Sequence, residues 1–177
     1  MTDRPPALLA DGSAPARPDE LLRLLDQLEI EATTHRHPPV FTVEEAQALK
    51  GDLPGAHTKN LFLRDKKERM WVVVALHDRD VDLRALGPEL GARGRLSFGS
   101  ERRLMRYLGV RPGSVTPFAV VNDHGGRVSV VLDAGLRAFE TWNAHPLDNG
   151  MTTALSGTDL VRFLEAVDHP PTWVALD

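Results

Sequence analysis

The sequence predicts a mixed α/β fold: one compact domain with helices around a mostly antiparallel mixed sheet. Three observations carry that expectation. Apolar runs of strand length alternate with segments whose leucines recur at helical spacing, such as Leu21, Leu25 and Leu28 or Leu104 and Leu108. Two pairs of apolar runs are joined by short polar links, Lys66-Lys67-Glu68-Arg69 and Asp123-His124-Gly125-Gly126, which reads as two hairpins rather than regular βαβ units. At 177 residues, 42% hydrophobic and 26% charged, the chain is long enough for one core and short for two.

In order, residues 1–17 contain Pro5, Pro6 and Pro15 among small and charged residues and read as a flexible leader, with the domain occupying 18–177. Asp19 is placed to cap a helix over 20–28. Residues 30–37 read as a short strand ended by Pro38-Pro39. Thr42-Val43-Glu44-Glu45 has the capping-box pattern and opens a short helix to about residue 49. A Leu53-Pro54-Gly55 loop leads into strands at 59–65 and 70–77. The second of these, Trp71-Val72-Val73-Val74-Ala75-Leu76, is apolar throughout, as a strand covered on both faces should be. Asp82 caps a helix to Leu90, 95–98 forms a short strand, and Ser100 caps a helix to Leu108. Runs 118–122 and 128–133 make the second hairpin, 140–145 and 151–155 are short strands, and Ser156 or Thr158 caps a last helix through Leu160, Phe163, Leu164 and Val167.

Composition removes several classes of function. Without cysteine there is no disulfide, no thiolate metal site and no cysteine nucleophile, which fits a reducing cytoplasm. No apolar run reaches signal-peptide or membrane-spanning length, so a soluble cytoplasmic protein without a membrane partner is expected. There is no Walker loop, dinucleotide-binding glycine motif, Gly-x-Ser-x-Gly elbow or His-Glu-x-x-His. The seven histidines show no ligand spacing beyond the His35/His37 pair, so neither metal nor other cofactor is expected. The net charge of −4 is unevenly placed. Arg93, Arg95, Arg102, Arg103, Arg106 and Arg111 face one acid, Glu101, giving +5 over 93–111 and −9 elsewhere. Arg102, Arg103 and Arg106 fall on one predicted helix and should share an outward face, which is a place to hold a polyanion.

Three features remain. Lys59 and Asn60 stand at the mouth of an apolar strand, where regular alternation points them to opposite faces. Either the strand begins after Asn60, or Lys59 alone meets a ligand while Asn60 braces the loop behind it. In Gly113-Ser114-Val115-Thr116-Pro117, glycine and proline bracket a segment able to expose successive backbone N–H groups to an anion or oxyanion. His145 lies in Trp142-Asn143-Ala144-His145-Pro146-Leu147-Asp148-Asn149, a run rich in hydrogen-bonding groups.

Together, Thr58-Lys59-Asn60-Leu61-Phe62-Leu63, Gly113-Ser114-Val115-Thr116-Pro117-Phe118 and His145-Pro146-Leu147-Asp148-Asn149 resemble the YbaK/prolyl-tRNA synthetase-associated editing domain family, and within it the freestanding ProXp-ala type. The resemblance spans roughly 20–167. It implies hydrolysis of the aminoacyl ester of mischarged tRNA(Pro), alanyl-tRNA(Pro) first and cysteinyl-tRNA(Pro) as the sister specificity, with prolyl-tRNA synthetase a possible further partner. A non-catalytic binding module of the same fold is the other outcome. The resemblance makes Lys59, Gly113 and His145 the catalytic set. Asn60, Ser114, Val115, Thr116 and Pro117 line the substrate pocket, and Arg102, Arg103 and Arg106 are then available for acceptor-stem phosphates.

Overall fold

The structure, a computed structural model, describes residues 7–39 and 43–176. After helix α1 (Pro18–Gln27) and strand β1 (Ala32–Arg36), helix α2 (Val43–Asp52) precedes the hairpin of β2 (Ala56–Arg64) and β3 (Met70–Leu76). Helix α3 (Leu83–Glu89), the two-residue β4 (Ser97–Phe98) and helix α4 (Glu101–Leu108) follow. A 3-10 helix (Pro117–Asn122) then leads to β5 (Val128–Asp133), and a second (Ala134–Ala138) to β6 (Thr141–Ala144). Strand β7 (Met151–Ser156), helix α5 (Gly157–Ala166) and β8 (Thr172–Val174) complete the chain.

The strands form one mixed sheet in the order β1-β7-β6-β2-β3-β5-β8, with β4 on β2 as well. Pairs β1–β7, β6–β7, β2–β3 and β2–β4 are antiparallel, whereas β2–β6, β3–β5 and β5–β8 are parallel. Strand β3 is central, as its unbroken apolar run requires: every residue from Met70 through Ala75 is buried. Its alternate side chains supply two cores. Met70, Val72 and Val74 join Phe62, Leu104, Phe118, Leu132, Phe163 and others beneath α1, α4, the first 3-10 helix and α5. Trp71 and Val73 join Leu63, Leu86, Leu96 and Val131 on the opposite face, under α3.

Local signals account for most boundaries. Asp82, Ser100 and Ser156 each cap a helix, their side chains accepting the N–H of Arg84, Arg103 and Asp159. The first helix starts earlier than expected: Pro18 takes its first position and Arg17 its cap, with the Glu20 carboxylate accepting the Arg17 N–H at 3.1 Å. The expected cap Thr42 lies outside the described residues.

Two expectations are corrected. Residues 118–122 are not a strand. Thr116 Oγ1 accepts the Phe118 N–H at 3.3 Å and Pro117 fixes the first φ, so the apolar run winds into a buried 3-10 helix. No second hairpin forms, and β5 pairs with β3 and β8 instead. Strand β2 begins at Ala56, three residues before Lys59. Within residues 7–17 Leu9 is buried, the Ala10 N–H donates to the Arg106 carbonyl, and the Ala16 N–H donates to Asn122 Oδ1 at 2.8 Å.

Candidate active site

Strand β2 has one edge filled and one divided. Strand β3 occupies the first, in register from Thr58 opposite Leu76 to Arg64 opposite Met70. On the second, β6 meets β2 only at Ala56 and His57, and β4 only at Leu63 and Arg64. The sheet is therefore breached along 58–61. The Phe62 carbonyl accepts from the Gly99 N–H on this edge, so strand alternation turns the backbone N–H and C=O of Asn60 toward the breach as well.

Lys59 and Asn60 lie on opposite faces of a regular strand, which removes the possibility that β2 begins after Asn60. The Lys59 ammonium donates to the Arg79 carbonyl just beyond β3, leaving two of its three protons. Arg79 is held in turn: its Nε is 3.2 Å from Oδ2 of Asp133, a fully buried carboxylate that also accepts the Leu76 and Gly135 N–H groups. Asn60 stands opposite Val74 on the larger-core face, and its Oδ1 is buried without a hydrogen-bond partner. Oδ1 of Asn143 is also unpartnered. The Asn143 amide N–H groups go to the carbonyls of Pro54 and Ala56 at 3.0 and 3.1 Å, which fixes the orientation of that amide.

His145 is the first residue beyond β6. Strand β6 runs parallel to β2 with Ala56 opposite Trp142 and Asn143 opposite His57, and Lys59 and His145 each follow the last paired residue of their own segment by two positions. His145 Nδ1 is 2.8 Å from the Met151 carbonyl oxygen. A carbonyl only accepts, so Nδ1 carries the proton and the neutral ring offers a lone pair at Nε2. Burial pushes the His145 pKa below the usual histidine value. The His37 ring, 6.3 Å away, adds to this, and the opposing pull of the Met151 carbonyl and Asp148 does not reverse it.

The 111–117 loop closes on the same motif. The Ser114 N–H donates to the Arg111 carbonyl at 3.0 Å, and Gly113 has φ +88°, in the left-handed region that glycine tolerates. A Cβ on Gly113 would sit 3.8 Å from Asn149 Nδ2, so the loop touches the end of the His145 run. Because Ser114 spends its N–H on the turn, the expected cradle contracts. The N–H groups of Gly113, Val115 and Thr116 are those without a partner among the described residues. Val115 packs on the larger core, while Thr116 and Pro117 are buried at the start of the 3-10 helix.

Residues 37–163 match the family described as the aminoacyl-tRNA editing domain. The chain is 42% identical over 173 residues to prolyl-tRNA synthetase associated domain-containing protein 1 of Danio rerio, covering 95% of this chain and 94% of that one. It is 41% identical over 143 residues to prolyl-tRNA editing protein ProX of Acetoanaerobium sticklandii, covering 80% and 87%. This chain belongs to the aminoacyl-tRNA editing domain family. A crystal structure of a proposed trans-editing enzyme for prolyl tRNA synthetase shares the fold, with a TM-score of 0.65 at 17% identity over 89% of this chain and 96% of that one.

The Gly113 loop thus touches the His145 motif, β6 joins β2 just before Lys59, and the arginines lie elsewhere in this editing domain. Arg102 and Arg106 are exposed on α4, but Arg103 is not on their shared outward face: it is partly buried, with NH2 2.6 Å from Glu68 Oε1 in the β2–β3 turn. That turn lies about 20 Å from Lys59 along β2. Among the described residues no three His, Asp or Glu side chains are grouped to hold a metal ion, and no helix is long and apolar enough to cross a membrane. Sequence reasoning missed Arg79, Asp133 and Asn143. Asp133 carried a readable signal, an acid directly after an apolar strand and before Gly135. Asn143 and Arg79 become visible only through pairings between distant segments.

Proposed function

We propose that this editing domain hydrolyses the ester of mischarged tRNA(Pro) in trans, with alanyl-tRNA(Pro) preferred, in the cytoplasm where prolyl-tRNA synthetase produces the error. The 41% identity to a protein named for prolyl-tRNA editing supports the reaction class. The observation that carries the reading is the contact of the Gly113 loop with the end of the His145 run, on a segment that joins β2 two residues before Lys59 and the breach.

In this reading the two remaining Lys59 protons hold the phosphate of the terminal nucleotide and so position the ester. A water oxygen attacks the carbonyl carbon. The developing oxyanion is met by the N–H groups of Gly113, Val115 and Thr116. The ester oxygen leaves with a proton relayed by the neighbouring ribose hydroxyl, giving free amino acid and tRNA. His145 Nε2 accepts a hydrogen bond from the substrate's amino group or ribose hydroxyl and holds the ester in line. Asn60 presents its backbone to the breach and its unpaired Oδ1 to a substrate donor, and Ser114 and Pro117 shape the loop. A pocket sized for alanine excludes proline by its ring, the inverse of the synthetase's difficulty in rejecting something smaller.

The test is a deacylation panel with alanyl-, cysteinyl- and prolyl-tRNA(Pro). Alanine should be released at least ~10-fold faster than proline. Faster release of cysteine would replace the alanine preference with the sister specificity. Absence of release from all three would overturn the enzyme reading and leave a binding module.

A further inference from the structure

We infer that the tRNA surface of this chain is a phosphate track centred on Tyr107, running from Arg102 and Arg106 on α4 across to Arg127, and that its occupant is the acceptor-stem sugar–phosphate backbone. The inference rests on the editing reading for the identity of the polyanion. It goes beyond that reading in assigning Tyr107 and Arg127, which no motif marked, and in removing Arg103.

Two cavities meet at Tyr107. One, of about 430 Å³, is lined by Ser100, Arg102, Arg103 and Arg106 with Glu68. The other, of about 350 Å³, contains Arg106, Arg127 and His124 with Asp11. The guanidinium carbons of Arg106 and Arg127 each lie 5.8 Å from the Tyr107 ring centroid, so one ring carries two cations. Arg127 comes from the turn before β5, distant in sequence from α4. Two elements thus converge on one aromatic platform.

The charges on this face are not balanced. Glu68 is paired with Arg103, Asp11 with His124 at 2.7 Å, and buried Asp123 with His169 at 2.8 Å. Arg102, Arg106 and Arg127 have no ion-pair partner among the described residues and are exposed. Three arginines without ion-pair partners, spread over an open surface, suit successive phosphates better than one small anion. Arg102 and Arg106 stand about 6 Å apart along the helix axis. Helix α4 ends at Gly109 and runs on into the Arg111-Gly113 turn, so the track leads toward the proposed ester pocket. An A-form stem held this way is recognised by its backbone, without base reading.

The experiment is binding of uncharged tRNA(Pro) to the full chain, followed by fluorescence anisotropy across a salt series. Arg127→Ala should lower the slope of log affinity against log salt by about 0.7–0.9, the loss of one phosphate contact, and the Arg102→Ala/Arg106→Ala pair by about twice that. Arg84→Ala, an equal charge change at an exposed site on α3, should leave the slope at the wild-type value. Thermal unfolding of each variant confirms that it is folded. A wild-type slope for Arg127→Ala, or an equal drop for Arg84→Ala, overturns the track. The two readings fail separately. A protein that shows these slopes but releases no amino acid keeps the track and loses the proposed activity. One that deacylates with no Arg127 effect does the reverse.

Discussion

At one end of the β2–β3 hairpin a buried carboxylate is surrounded by donors; at the other, about 20 Å away, buried amide oxygens have none. Asp65, 1% exposed, takes the Lys67 and Arg69 N–H groups at 2.9 Å on Oδ1, and on Oδ2 the Arg93 N–H at 2.9 Å and Arg69 Nε at 3.0 Å. Burial alone would raise its pKa, but these four donors more than reverse that and hold it below the usual carboxylate value. Near Lys59 the side-chain oxygens of Asn60 and Asn143 are buried unpaired. An orphaned acceptor costs about 1–3 kcal/mol. The chain satisfies its polar groups where they only hold the fold together. It leaves them open where the proposed substrate, rich in donors, would enter.

Lys59→Ala gives the largest effect if this contrast is functional. It should lower kcat/KM on alanyl-tRNA(Pro) by about 10²–10³-fold, the range for losing one preorganised charge contact, while the melting temperature stays near wild type. Near wild-type hydrolysis would remove Lys59 from the proposed site. Asp65→Asn should do the opposite. It places an amide against N–H donors and should cost about 2–3 kcal/mol of stability, measurable by urea unfolding, with turnover per folded molecule intact. A cost under about 1 kcal/mol would show that the turn end is not a satisfied structural node.

The satisfied end was largely legible in sequence, because its signals are local. The Lys66-Lys67-Glu68-Arg69 link announced the hairpin, the run from Trp71 to Leu76 announced a central strand, and Ser100 announced the start of α4. The breach was not legible. It exists because β6 and β4, far apart in sequence, each cover only two residues of one β2 edge. Lys59, Gly113 and His145 stand out through their motifs, but the parallel β2–β6 pairing that joins the Lys59 strand to the His145 segment is encoded by no periodicity. The misread run at 118–122 follows the same logic. Five largely apolar residues suit a strand or a buried 3-10 helix equally well, and Thr116 and Pro117 decide between them.

Asn60→Leu sharpens the comparison at smaller magnitude. Asn60 shares its face with Phe62 and stands opposite Val74, so an aliphatic replacement fits the core there and removes the unpaired oxygen. Stability should be unchanged or rise by up to about 1 kcal/mol, while hydrolysis falls about tenfold through loss of one substrate hydrogen bond of about 1.4 kcal/mol. A stability loss near 2 kcal/mol would mean that the amide holds the fold together, and Asn60 would then belong with Asp65.

The smallest effect is in pH, and it separates the two ends by sign and window. His145 has a folded pKa below 6.5, so as pH drops below 6.5 the unfolded chain takes the proton first and stability is lost down through the folded value. Asp65, lowered from 3.8, contributes stability that is complete above 3.8 and lost only as pH falls below that. His169 runs the other way. Its hydrogen bond to Asp123 raises its pKa against the burial that opposes it, so its contribution is complete below 6.5 and lost as pH rises through the folded value. Melting temperature against pH should therefore lose its decline just below 6.5 in His145→Gln and its decline above 6.5 in His169→Asn. Asp65→Asn should change the profile only below about pH 4. Because the neutral His145 ring is the form that presents Nε2, deacylation by the wild type should hold at pH 6.5 and fail only further into acid. A midpoint above 6.5 would show that the ring carrying the lone pair is not the one that matters.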